Sequence, residues 1–350
     1  MERSTAARPG HPTSQTGQTK ATTTTREGTM QAIVHDRYGS PDVLALADVE
    51  HPALGDDGVV VRVRAASVNA LDWHLLRGTP YFVRLTDGLR RPKRRIAGVD
   101  VAGVVEAVGK DVTAFRPGDE VFGQRGGAFA EFVGGRERNF VRKPANLTFE
   151  QAAAIPVAAT SALQALRDKG RVQSGQRVLI NGAGGGVGTF AVQLAKAFGA
   201  DVTAVTRGEN VDLVRSIGAD RVLDATRADF TRDAQRFDLI IDIAANHPLT
   251  ACRRVLTPDG VLVVVGAPDG RWVAPLARVV EAVVRSRLGG QRLLPFLAAV
   301  TKDDLTILAD LAEAGKVTPV IDRVYPLRDT AEAIRYVETG HARGKVVITV

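Results

Sequence analysis

Apolar and polar positions change rhythm twice along the chain. Between Met30 and about Glu150 the period is two. GVVVRVRAASVN alternates Val59, Val61 and Val63 with Val60, Arg62 and Arg64, the pattern of a half-buried strand. AGVDVAGVVEAVG, RPGDEVFG and GAFAEFV add short strands parted by Gly, Pro and Asp turns, which predicts a barrel-like antiparallel domain. From about Ile155 the apolar runs VLI, VTAV, RVL, DLIID and VLVVV recur, each followed by a helical or loop segment. That alternation predicts a parallel sheet with helices against it. After Val265 helical stretches with Pro275 and Pro295 are expected, then the helix TKDDLTILADLAEAGK. VTPVIDRVYPL and GKVVITV return to strand patterns, so the tail is expected to fold back onto the first domain. The predicted class is α/β.

Residues 1–29 carry no apolar period. Ser, Thr, Pro, Gly and Gln dominate, and such a segment buries too little surface to offset its ordering entropy. It is expected to be a disordered and dispensable extension, either an overcalled start or a loose tail. Its arginines and scarcity of acids partly match a transit peptide, but its prolines and glycines oppose an amphipathic helix, and it lacks a secretory core. The expectation is a cytoplasmic protein. No apolar run approaches the about 18 residues of a membrane span.

Composition narrows the chemistry. The single cysteine, Cys252, excludes an internal disulfide framework and a multi-cysteine metal cage, and in LTACRRVL it reads as a buried inert thiol. The formal charge of +7 is uneven, with five basic residues in RRPKRR at 90–95. Without interleaved aromatics or a surrounding motif this run reads as a solvated loop, and nucleic acid is not the expected partner.

The densest signal is VLINGAGGGVGTFAVQLAKAFGADVTAVTR, with five glycines between positions 182 and 188. VLI is a buried strand, and Val187, Phe190, Ala191, Leu194, Ala195 and Phe198 make one apolar helix stripe. The turn between them reads as the dinucleotide fingerprint with alanine first: Ala183, Gly184, Gly185, Gly186, Val187, Gly188. Gly185 lets backbone approach a pyrophosphate, Gly188 lets helix lie on strand, and the helix N-terminus offers N–H groups to the phosphates. The next strand ends in Thr206 and Arg207 where an NAD site usually places an acid. Arginine pairs with a 2′-phosphate instead, which points to NADPH, with nearby Glu209 leaving NADH open. Gly266, closing the VLVVV run, is counted among the cofactor-binding residues.

Together with SVNALDWHLLRG, AGVDVAGVVEAVG, RPGDEVFG and the closing ARGKVVITV, this stretch resembles the medium-chain dehydrogenase/reductase superfamily. It is most similar to the zinc-independent quinone oxidoreductase branch related to zeta-crystallin, from Met30 to Val350. The resemblance implies a GroES-like catalytic domain at 30–154, completed by 299–350, and a Rossmann domain at 155–298. It implies Asn69 as an active-site amide, Asp72 as the last member of an N-x-x-D pattern, and Thr160, opening TSALQAL, beside the nicotinamide. Asp72 reads equally as an acceptor that organises its loop. The Gly344-Lys345 pair corresponds to one whose lysine reaches a cofactor phosphate, and His74 and Tyr81 flank the implied cleft.

Where zinc relatives carry a first cysteine this chain has Asn69, and Val99 stands in the place of the zinc-binding histidine. No metal is therefore expected. The implied activity is hydride transfer from NADPH to a quinone or an α,β-unsaturated carbonyl, by a homodimer joined through its Rossmann sheet edges. Two alternatives stay open: an enoyl reductase or dehydrogenase of a specific metabolite, and a nucleotide-binding RNA-binding or regulatory protein. The family's substrate-facing tyrosines find no match, so the resemblance names no proton donor.

Overall fold

Thr29–Val34 (β1) and Ala45–Glu50 (β2), the first two strands among the described residues, pair antiparallel. The computed structural model describes residues 1–2, 28–81, 83–265, 281–282 and 290–350. Nearly all of the 1–29 extension and most of 266–289 thus lie outside the described residues, Gly266 with them.

The period-two region builds one antiparallel system. It comprises Gly58–Val68 (β3), Asp100–Val108 (β4), Glu120–Gln124 (β5), Phe132–Arg136 (β6) and Phe140–Arg142 (β7). β3 is its centre, paired with β4 on one side and with β6 and the chain's last strand on the other. The half-buried alternation holds at exposed Arg62 and Arg64, but Val60 is buried as well, so the start of β3 is covered on both faces.

The second sheet is wholly parallel. Arg177–Asn181 (β8), Asp201–Thr206 (β9), Arg221–Asp224 (β10), Phe237–Asp242 (β11), Leu256–Val264 (β12) and Arg292–Pro295 (β13) lie in the order β10-β9-β8-β11-β12-β13. This is the doubly wound order whose direction reverses between its first and fourth strands, here β8 and β11. A ligand crevice forms at the carboxyl ends of strands at such a reversal, and the glycine-rich turn follows β8. β13 corrects the helical expectation around Pro295. Leu293 and Leu294 align with Leu262 and Val263 of β12, and the run extends the sheet instead.

Ile321–Pro326 (β14) and Lys345–Thr349 (β15) return to the first sheet, where β15 pairs antiparallel with β3. This return places Lys345 against Val68 and Asn69. Between the sheets runs the helix Pro156–Gln164, buried from Ala158 to Gln164. It shares one apolar cluster with Val178, Ile180, Phe190 and Leu194, so the glycine turn is held by the core itself. Pro156 starts this helix at its first turn, a position that suits proline's missing N–H. Thr160 therefore lies mid-helix rather than at its opening.

Candidate functional site

The turn after β8 is shaped by two main-chain approaches. Gly182 and Ala183 both donate their N–H to the Val205 carbonyl, which pins the turn to β9. Gly188 lies so close behind it that an added Cβ would stand 2.1 Å from the Gly182 oxygen. Gly185 caps the helix Gly186–Ala197 without any side-chain hydrogen bond, so the first-turn N–H groups have no side-chain acceptor. These groups and the positive end of the helix dipole suit a pyrophosphate. A Cβ on Gly185 would meet nothing nearer than 3.7 Å, so open space faces this residue.

That space is a cleft of about 490 Å³ between the two sheet systems, within the range of cofactor sites. Gly184, Gly185, Gly186, Val187, Thr206 and Arg207 line one wall, with Asn69 and Lys345 on the other. Ala183 and Gly188 are buried behind the lining, supporting it. A parallel bridge between Gly185 and Gly344 joins the walls. The residues present thus fit a dinucleotide: a side-chain-free cradle, a free helix N-terminus and a cationic far end.

The wall that carries Asn69 and Lys345 holds a buried charge cluster. Asn69 donates from Nδ2 to Asp100 Oδ2 at 2.9 Å, while its Oδ1 accepts from Lys345 Nζ at 2.5 Å. Lys345 Nζ also donates to the Val68 carbonyl at 3.2 Å. Asp100 further accepts from the Ser67 hydroxyl and the Val157 N–H. Asp72 accepts the Asn69 N–H at 2.7 Å, organising the start of the helix Ala70–Arg77. Its other oxygen, Oδ1, is buried without a partner.

Two carboxylates and one ammonium out of water cannot all keep ordinary ionisation. Burial, reinforced by the Asp100 charge and opposed by the Asn69 N–H, pushes Asp72 up to about 7. Burial also raises Asp100, to about 6, but the Lys345 ammonium and the Asn69 amide hold it below Asp72. Lys345 moves down because burial outweighs the attraction of the two carboxylates. Asp72 is thus the carboxyl that retains a proton most readily.

The structure gathers Asn69, Gly184, Gly185, Gly186, Val187, Thr206, Arg207 and Lys345 around the cleft, and leaves others out of its lining. Asp72 faces a small separate cavity with His35 and Asp87. Thr160 is fully buried, with its hydroxyl lacking a hydrogen-bond partner, and Ala158 of its helix reaches the cleft instead. Nor do His74, bonded through Nδ1 to the Thr79 carbonyl, and Tyr81, under the Arg84 guanidinium, line it. The lysine expected at a phosphate runs its stem along Gly186 but turns its ammonium inward, toward the buried carboxylates. Sequence reasoning missed Asp100 as a partner of Asn69, although a carboxylate inside the apolar run AGVDVAGV was its signal. It also missed Asn210 and Arg343, which meet beside Arg207 with Arg343 Nε 2.8 Å from Asn210 Oδ1.

Comparison with known proteins fits this geometry. Residues 55–145 match the alcohol dehydrogenase GroES-like domain, and residues 217–348 match the zinc-binding dehydrogenase family. The mitochondrial NAD(P)H oxidoreductase RTN4IP1 of Mus musculus is 34% identical, over 94% of this chain and 91% of the relative. The chloroplast envelope quinone oxidoreductase homolog of Arabidopsis thaliana is 31% identical, over 91% of this chain and 98% of the relative. The solved quinone oxidoreductase of Coxiella burnetii superposes with a TM-score of 0.80 at 30% identity, covering 92% of this chain and 99% of that one. The expected cytoplasmic location is overturned by these relatives, two of which are proteins of mitochondria and chloroplasts. That expectation rested on the prolines and glycines of residues 1–29, which outweighed their arginines and scarcity of acids.

Proposed function

The chain belongs to the medium-chain dehydrogenase/reductase family and is an NAD(P)H-dependent oxidoreductase, and from that premise we propose an NADPH-preferring, zinc-independent reductase of quinones or α,β-unsaturated carbonyls. When bound, the nicotinamide cofactor supplies the hydride. The protein's part is to hold and orient. The glycine turn receives the pyrophosphate at the helix N-terminus, and Thr206 and Arg207 meet the adenosine end. Asn69, held between Lys345 and Asp100, forms a rigid wall beside the reacting ring. Asp72 positions Asn69 through its main-chain N–H rather than touching substrate.

The zinc-independent part of the reading is supported by the donor set. Asn69 and Val99 occupy the ligand places, and among the described residues no three His, Cys, Asp or Glu side chains form a metal-holding group. The matched zinc-binding dehydrogenase segment begins at residue 217, beyond both positions. The division at about residues 155 and 298 belongs to the same reading, as does a homodimer through β13. That strand forms one edge of the parallel sheet among the described residues.

One observation carries the cofactor preference. β9 ends at Thr206, and the next residue lining the cleft is a cation where an acid would accept from a ribose hydroxyl. A charge-assisted pair to a 2′-phosphate contributes about 1.5–3 kcal/mol, roughly ten- to hundred-fold in preference. Arg207→Asp is therefore expected to invert the order of the NADPH and NADH Michaelis constants, leaving that of the quinone nearly unchanged. Equal use of both cofactors by the unaltered enzyme, or no change of their ratio in the variant, would refute this reading.

A further inference from the structure

The adenosine end of the cleft is crossed by two arginines that reach in opposite directions. Arg207, following β9, donates from its guanidinium to the Gly340 carbonyl at 3.3 Å on the far wall. Arg343, between Ala342 and Gly344 of that wall, donates back: Nε to Asn210 Oδ1 at 2.8 Å and the guanidinium to the Glu209 carbonyl at 3.0 Å. The two guanidiniums therefore grip each other's loops, 206–210 on one side and 339–344 on the other.

The placement of Arg343 is built rather than incidental. Its main-chain N–H is held by Asp322 Oδ2 at 2.9 Å, and the next residue, Gly344, bridges to Gly185 of the phosphate-binding turn. Asn210, the side chain it engages, lines the cleft and is itself buried. A guanidinium has five N–H donors, and the two contacts of Arg343 leave several free. The carbonyls that both arginines hold are neutral acceptors. A doubly charged phosphate oxygen cluster placed between them is a stronger one.

We propose that Arg343 is the second cofactor-selecting residue: with Arg207 on the opposite wall, it closes on the 2′-phosphate of NADPH. The inference rests on the NADPH reading of Arg207 and adds to it a consequence for the cleft. A 2′-phosphate bridges the two sides of the cleft through one arginine from each, whereas a 2′-hydroxyl leaves both arginines on their neutral carbonyl acceptors. Selectivity is then shared between β9 and a loop more than 130 residues further along the chain.

The test uses the full chain and two fragments of the cofactor, adenosine 2′,5′-bisphosphate and AMP, titrated calorimetrically so that no turnover is involved. The unaltered protein is expected to bind the bisphosphate more tightly, and Arg343→Ala and Arg207→Ala each to reduce that ratio about ten-fold. Arg343→Lys, a point charge without the fork, should recover part of it. If Arg207→Ala reduces the ratio and Arg343→Ala does not, the inference falls while the NADPH reading stands. If Arg343→Ala weakens both ligands equally, Arg343 only braces Asn210 and the inference is again overturned. No preference in the unaltered protein defeats the NADPH reading itself.

Discussion

Gly188→Ala is expected to destabilise the free protein by about 3 kcal/mol or more and to abolish dinucleotide binding, whereas Gly185→Ala should abolish binding alone. At Gly188 the added carbon would stand 2.1 Å from the Gly182 oxygen and 2.7 Å from two backbone atoms of Ala183. None of these can rotate away, because Gly182 and Ala183 are both tied to the Val205 carbonyl. The helix Gly186–Ala197 would have to lift off β8 and β9, opening the cluster that holds Phe190, Ala191 and Leu194. At Gly185 the nearest atom is 3.7 Å away, an ordinary contact, and the backbone is already extended. A methyl there meets no protein atom closely, but it takes space that the proposed pyrophosphate position needs. Thermal melting together with NADPH titration by fluorescence separates the two. Equal melting of both variants would contradict the assigned division between a packing glycine and a binding one.

Lys345→Met should cost about 3–5 kcal/mol, the usual range for stranding a buried charge. Methionine keeps the stem's packing along Gly186, so the loss isolates the ammonium. Adding Asp100→Asn should recover much of that loss, since it removes the carboxylate left unpaired. The pH dependence follows from the raised values of Asp72 and Asp100, about 7 and about 6. An unfolded aspartate titrates near 3.9, so between about pH 4 and 7 the folded state binds more protons than the unfolded one. These two groups therefore make stability fall as pH rises through that window. Lys345→Met should steepen the fall, because the cation no longer holds either carboxyl down. Melting curves at pH 5 and pH 8 on the four proteins of the cycle check this. A Lys345→Met variant as stable as the parent at both pH values would show that the cluster is not coupled.

What was legible in the sequence was local. The change of period near Ile155, the five glycines and the acid-free end of β9 each lie within one stretch, and each corresponds to a structural feature. What escaped was made by contacts distant along the chain. Asn69 meets Asp100 31 residues away and Lys345 276 residues away. No spacing rule links them, and Lys345 alone looked like a phosphate ligand. TSALQAL reads as a helix opening at Thr160, yet Pro156 begins that helix earlier and the side chain is enclosed. Arg343 and Asn210 come together only because β15 returns to β3 and carries its preceding loop to the end of β9. β13 escapes a local reading because Pro275 and Pro295 suggest broken helical stretches after Val265, whereas the strand character of this four-residue run comes from pairing with β12.

Cofactor oxidation by the unaltered enzyme after chelator treatment, with a simple quinone or a conjugated enone as acceptor and NADPH or NADH as donor, decides whether this is a zinc-independent, NADPH-preferring reductase. Sustained turnover is expected, with kcat/KM for NADPH about ten- to hundred-fold above that for NADH. Failure to reduce either acceptor class, or activity that vanishes with the chelator and returns with added zinc, would contradict it.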